Sequence, residues 1–174
     1  MVDAIDIHDR KVGMATLAEC LDEGLLHRAV AVLVFRKNGS LLLQRRSLSD
    51  MWHPGRWTLS CTGHVKAGES YARAARRELQ EELGLRARLR LHRKILLPEI
   101  RSRGLTEWET TGVFACRSSS RVTIDRSELE EVAEVPLFRL RAMMKGRSLT
   151  PDARLILEEC WGLVQDELGA GVPV

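Results

Sequence analysis

Residues 63–85 read GHVKAGESYARAARRELQEELGL. Ser70 is a good N-cap and Gly84 a good C′ residue, so the spacing predicts a helix over Tyr71–Leu83. Ala74, Ala75, Leu79 and Leu83 recur at helical intervals and form its packing side. Glu78, Glu81 and Glu82 stand at i, i+3 and i+4 and project together from one face. Such like charges repel, at a cost of about 0.2–0.5 kcal/mol per pair. A hard cation removes that cost, and Mg2+ and Mn2+ take oxygen ligands of this kind. An acidic face bathed in solvent is the bland alternative, so the flanking residues must decide.

Outward from this helix, the N-terminal side begins with a short hairpin over 4–13, turning near Asp9-Arg10. A helix over 14–26 comes next, with Leu17, Leu21 and Leu25 at spacing four. The nearly continuous apolar run 27–36 predicts a central strand, Asn38-Gly39 a tight turn, and 41–46 the returning strand. Pro54-Gly55 marks a loop and 57–61 a short strand. On the C-terminal side, 86–97, 109–117 and 132–135 read as strands. Segments 118–120 and 125–127 read as loops, with Ser127 capping a solvated acidic turn over 128–131. Pro136 opens a helix to Met144 and Pro151 a final one to about Leu168. The fold class expected is α/β or α+β, with a mixed sheet between helices.

The chain has 174 residues, 44% hydrophobic and 29% charged, an ordinary globular composition. Its 27 basic and 24 acidic residues leave +3, too balanced to point to nucleic acid. No run of about 18 uncharged apolar residues spans a membrane. The acidic start lacks the apolar core of a signal peptide, so the expected location is cytoplasmic. Cys20, Cys61, Cys116 and Cys160 have no CxxC spacing and read as free thiols.

Gly63, Glu69 and the run Arg77-Glu78-Leu79-x-Glu81-Glu82-x-Gly84-Leu85 match G-x5-E-x7-R-E-U-x-E-E-x-G-U (U apolar) at every fixed position. On these residues the chain resembles the Nudix hydrolase superfamily. The resemblance implies a single domain over 1–174, with a mixed β-sheet sandwiched between α-helices. Residues 1–26 would be an N-terminal hairpin and helix extension, and 63–85 the loop–helix–loop of the Nudix box. It implies hydrolysis of a small-molecule nucleoside diphosphate derivative. By the same resemblance Glu78, Glu81 and Glu82 ligate Mg2+ or Mn2+, helped by the Gly63 carbonyl, while Arg77 holds Glu69 and braces the loop. A bound cation lowers the pKa of a water, and a glutamate such as Glu109 then takes the proton. Arg45 and Arg46 alternate along a strand, so one faces phosphate and the other solvent. A homodimer is compatible with the resemblance, though no feature of the chain demands it.

A second resemblance lies around the box. Leu26-His27-Arg28-Ala29-Val30, Leu41–Ser49, Pro54-Gly55-x-Trp57-Thr58-x-Ser60, Gly63-His64 and Glu107-Trp108-Glu109 look like the type I isopentenyl-diphosphate isomerases, a non-hydrolytic branch of the same fold. It implies a second metal site at His27, His64, Glu107 and Glu109, with a further histidine position falling near Cys20. The catalytic cysteine position of that branch falls on Thr62, and Cys61 lies one residue early, on the opposite face of a strand. The position of a diphosphate-gripping basic residue falls near Asp50 or Met51. The isomerases also degrade the box that is complete here. Hydrolysis is therefore the expected reaction, with isomerisation or ligand binding without turnover as alternatives. Trp52, Trp57 and Trp108 are candidates to stack on a base or to line a pocket. His8, His53 and His92 carry no recognisable role.

Overall fold

The computed structural model describes residues 1–50, 52–124 and 129–169. Met51 and the expected turn and cap at 125–128 lie outside the described residues. The chain starts with a hairpin, β1 (Val2–Ile5) and β2 (Lys11–Ala15), and a helix, α1 (Leu17–Glu23). That helix is shorter than 14–26 because β2 runs on to Ala15 and Thr16 serves as the helix cap. The Thr16 hydroxyl accepts from Glu19 N, the Glu19 carboxylate accepts from Thr16 N, and Gly24 ends the helix at φ 67°.

Strands β3 (His27–Phe35), β4 (Ser40–Arg46), β5 (Trp57–Thr58) and β6 (Cys61–His64) lead to helix α2 (Tyr71–Leu83). Then come β7 (Arg90–Leu96), a small hairpin of β8 (Ile100–Ser102) and β9 (Leu105–Glu107), β10 (Glu109–Arg117) and β11 (Leu129–Pro136). Helices α3 (Leu137–Lys145), α4 (Pro151–Glu159) and α5 (Trp161–Gly169) complete the described chain. No helix among the described residues is long and apolar enough to cross a membrane.

Among the described residues, nine strands form one mixed sheet, and β8 and β9 pair only with each other. Strand β3 is its axis. It runs parallel to β10 along its whole length, from His27 opposite Glu109 to Phe35 opposite Arg117. On its other edge it pairs with β4 only at Phe35 and Leu41. From Val32 to Ala29 its partner is β6, while β4 leaves to pair with β5 and β11. The sheet therefore forks between β4 and β6. Ser60, fully buried, pins the fork: its hydroxyl donates to Leu42 O at 2.5 Å and accepts from Val34 N at 2.9 Å.

Helices cover both faces, as expected. Leu79 and Leu83 of α2 pack with Val30, Val32 and Phe114 on one face. Leu33, Phe35 and Leu43 pack with Leu140, Leu157 and Val164 of α3, α4 and α5 on the other. Burying each such leucine contributes about 1.5–3 kcal/mol.

Several expected boundaries change. The strand expected over 57–61 divides into β5 and β6, because its two ends pair on opposite arms of the fork. The strand expected from 86 starts at Arg90, since the residues before it leave the Gly84 turn at φ 64°. Leu129, Glu130 and Glu131 belong to β11 and not to a solvated turn, because β11 pairs with β4 as far as Leu129 opposite Arg46. The final helix breaks at Cys160, so that Ile156, Leu157, Val164 and Leu168 all reach one core.

Candidate active site

The fork opens into a cavity of about 660 Å3. Gln44 and Arg46 reach it from β4, Thr62, Gly63 and His64 from β6, and Glu78 and Glu82 from α2. Glu107 and Glu109 enter from the β9–β10 side, and Asp152 from α4. Met1 and Val2 of the N-terminal hairpin and Leu17 and Leu21 of α1 add an apolar rim.

Arg77 organises the box. Its Nη2 donates to Glu69 Oε2 and to His64 O, both at 3.0 Å, and its Nε to Glu69 Oε1 at 3.3 Å. Its Nη1 reaches Glu78 Oε1 at 2.5 Å and Glu81 Oε2 at 3.1 Å. The brace between Arg77 and Glu69 expected from the sequence is thus formed, and it ties the loop to the helix. Glu81 is more than half exposed, whereas Glu82 is 6% exposed and Glu78 is packed against Gly63. Burial pushes the Glu78 carboxyl up, and Arg77 works against it. A Cβ on Gly63 would fall 2.6 Å from Glu78 Cγ and nearer still to its carboxyl, so only glycine leaves the carboxylate its place. Glu78, Glu82 and the Gly63 carbonyl offer oxygen donors that suit a hard cation such as Mg2+ or Mn2+.

A second donor set lies on the other arm. His27, His64 and Glu109 bring their ligand atoms within 4.8 Å of one another. Each Nε2 faces Glu109 Oε1, at 3.6 Å from His27 and 3.3 Å from His64, and the rings stack at 5.3 Å. His27 Nδ1–H donates to Leu25 O at 2.9 Å, which leaves its Nε2 lone pair aimed at the carboxylate. Both Nε2 atoms are buried without a hydrogen-bond partner among the described residues. Two imidazole nitrogens beside a carboxylate suit a borderline transition cation better than Mg2+. Burial pushes Glu109 up, but His64, His27 and the Thr111 hydroxyl more than offset it, and it lies below the ordinary value. Burial, with Glu109 and Asp152 nearby, pushes Glu107 up to about 9.

The other candidates are dispersed. Cys20 is fully buried against Val2 and Ala15 and is not part of the His27, His64 and Glu109 group. Arg46 lines the cavity and bonds Asp50 at 2.8 Å, while Arg45 lies over the Trp57 ring and pairs with Glu131. Trp52 lines the cavity, and Trp108 contributes its carbonyl to His27 N. Thr62 reaches the cavity, whereas Cys61 is fully buried in the core beneath α2, where burial and then Glu82 and Glu78 hold its thiol well above the usual range. Asp152 and Gln44 escaped the sequence reading. A Thr-Pro-Asp helix start and a strand glutamine carry no sign that the fork will bring them together.

A NUDIX domain family model matches residues 25–159. The chain is 39% identical over 147 residues to the uncharacterized Nudix hydrolase PA4841 of Pseudomonas aeruginosa, covering 83% of this chain and 82% of that protein. It is 36% identical over 142 residues to isopentenyl-diphosphate Delta-isomerase 2 of Photorhabdus laumondii, covering 82% and 80%. Among solved structures, DR0079 from Deinococcus radiodurans has the same fold, with TM-score 0.74 at 22% identity over 92% of this chain and 98% of that one. The NUDIX domain of Shewanella oneidensis NrtR complexed with ADP ribose shares the fold at TM-score 0.62 and 20% identity, over 86% and 99%. With the box, the forked mixed sheet and a family match over most of its length, the chain belongs to the NUDIX domain family.

Proposed function

We propose that the protein is a divalent-cation-dependent hydrolase that cleaves a phosphoanhydride bond in a nucleoside diphosphate derivative. The observation that carries this reading is the meeting of a complete box with Arg46 in one cavity where a threonine hydroxyl, not a thiol, stands at position 62. Glu78 and Glu82, with the Gly63 carbonyl, would hold Mg2+ or Mn2+. When bound, the cation supplies charge neutralisation at the phosphate oxygens and a more acidic water. Arg46 binds the diphosphate, and Arg77 keeps Glu69, Glu78 and the His64 carbonyl in register. Water oxygen forms a new bond to phosphorus as the bridging P–O bond breaks. Glu109 accepts the proton of that water, and the negative charge stays on the departing phosphate.

A second reading, isopentenyl-diphosphate isomerisation, is favoured by the His27, His64 and Glu109 cluster and by the several relatives named as that isomerase. It needs a proton donor and acceptor across an alkene. Thr62 is too weak an acid for that task, and Cys61 lies buried in the core beneath α2. A phosphate-release assay with Mg2+ across nucleoside diphosphate derivatives and isopentenyl diphosphate separates the two. The hydrolase reading expects phosphate or monophosphate from the nucleotides, abolished by Glu82→Gln. Full turnover by that variant overturns the assignment.

A further inference from the structure

Two groups in the cavity wall have no part in the chemistry above. Gln44 is 2% exposed, and its Oε1 has no hydrogen-bond partner among the described residues. Asp152 stands in the first turn of α4, two residues after Thr150, and lines the cavity. The fold brings these two to one wall. Gln44 lies opposite Thr58 in the β4–β5 pair, and the Thr58 hydroxyl meets that of Thr150 at 3.2 Å. Arg46 lines the same cavity.

A buried acceptor without a donor costs about 1–3 kcal/mol. Phosphate oxygens bring no donor and are repelled by a carboxylate. An alkyl tail would leave the Gln44 acceptor empty. A hydroxyl donates to either group and also accepts from the glutamine amide. Sites built to hydrogen-bond a hydroxyl discriminate strongly against the analogue that lacks it, because their own polar groups are then left unpaired. We propose that the Gln44–Asp152 wall is the subsite for the group carried by the diphosphate, and that it selects a hydroxyl-bearing group such as a sugar over an alkyl chain. This rests on the hydrolase reading, which places the diphosphate at Arg46, Glu78 and Glu82.

The test is isothermal titration calorimetry of the full chain with Mg2+. The probes are methylene-bridged analogues of ribose 5-diphosphate and of n-pentyl diphosphate, which neither water nor the protein can cleave. The wild type is expected to bind the ribose probe at least about tenfold more tightly. Gln44→Leu and Asp152→Ala should each reduce that preference to less than about threefold. Gln44→Leu does not touch the α4 N-terminus, so it decides the matter even where Asp152→Ala fails to fold. Equal wild-type affinities, or a preference that survives Gln44→Leu, overturn the subsite while leaving the hydrolase intact. Binding of neither probe overturns the diphosphate reading and the subsite together.

Discussion

Replacing Gly63 with alanine separates the fold from the chemistry. Gly63 is not among the positive-φ glycines, so alanine suits its backbone. The strand would gain about 0.5–1 kcal/mol from the lost freedom of glycine. The new methyl would lie 2.6 Å from Glu78 Cγ and nearer still to its carboxyl, and ordinary contact begins at 3.4 Å, so the carboxylate must withdraw by more than about 0.8 Å. Because the clash is with a flexible side chain, an off-rotamer cost of about 0.5–1.5 kcal/mol roughly cancels the gain. Net stability should therefore change by less than about 1 kcal/mol in urea unfolding. A misplacement of that size in a catalytic group costs on the order of 100-fold in rate. The assay is kcat/KM for phosphate release beside urea denaturation of the same preparation. Full activity in Gly63→Ala would refute the placement of Glu78, and a loss of more than about 3 kcal/mol would refute the claim that the strain stays in one side chain.

Other perturbations test other parts. Ser60→Ala leaves Val34 N and Leu42 O buried at the fork, and a loss of about 2–4 kcal/mol in urea unfolding is expected. Asp9 receives Arg28 Nε and Lys94 Nζ at 2.5 Å and the Tyr71 hydroxyl at 3.0 Å, so Asp9→Asn should lose about 1.5–3 kcal/mol. Burial opposes these partners, yet the Asp9 carboxyl ends below its ordinary 3.8. Its contribution is therefore complete above that value and fades as pH falls through the lower folded one, so the gap between wild type and variant should narrow in acid. Cys61→Ala should keep phosphate release within about tenfold of wild type, against total loss if the thiol were the catalytic acid. Chelation of divalent cations should abolish turnover, and added Mg2+ should restore it.

How far the sequence reached depended on how local each signal was. Helix α2 and β10 were legible residue for residue, because the caps at Ser70 and Gly84 and the β-forming stretch 110–116 each sit within one segment. The β8–β9 hairpin escaped notice, since two three-residue strands around Arg103-Gly104 carry no alternation long enough to read. The fork was invisible for a different reason. It depends on Ser60 bridging two strands that are adjacent only after folding. The box glutamates were found from spacing, whereas Asp152 needed the packing of α4 across the sheet to reach the same cavity.

The central claim is that water attacks phosphorus. Turnover in 18O-enriched water, with mass spectrometry of the products, tests it most directly. The account predicts one 18O atom in a released phosphate or monophosphate for each bond cleaved, with Mg2+ present and not with Glu82→Gln. Conversion of isopentenyl diphosphate to an isomer of the same mass, with no 18O on phosphorus from any nucleotide, would contradict it.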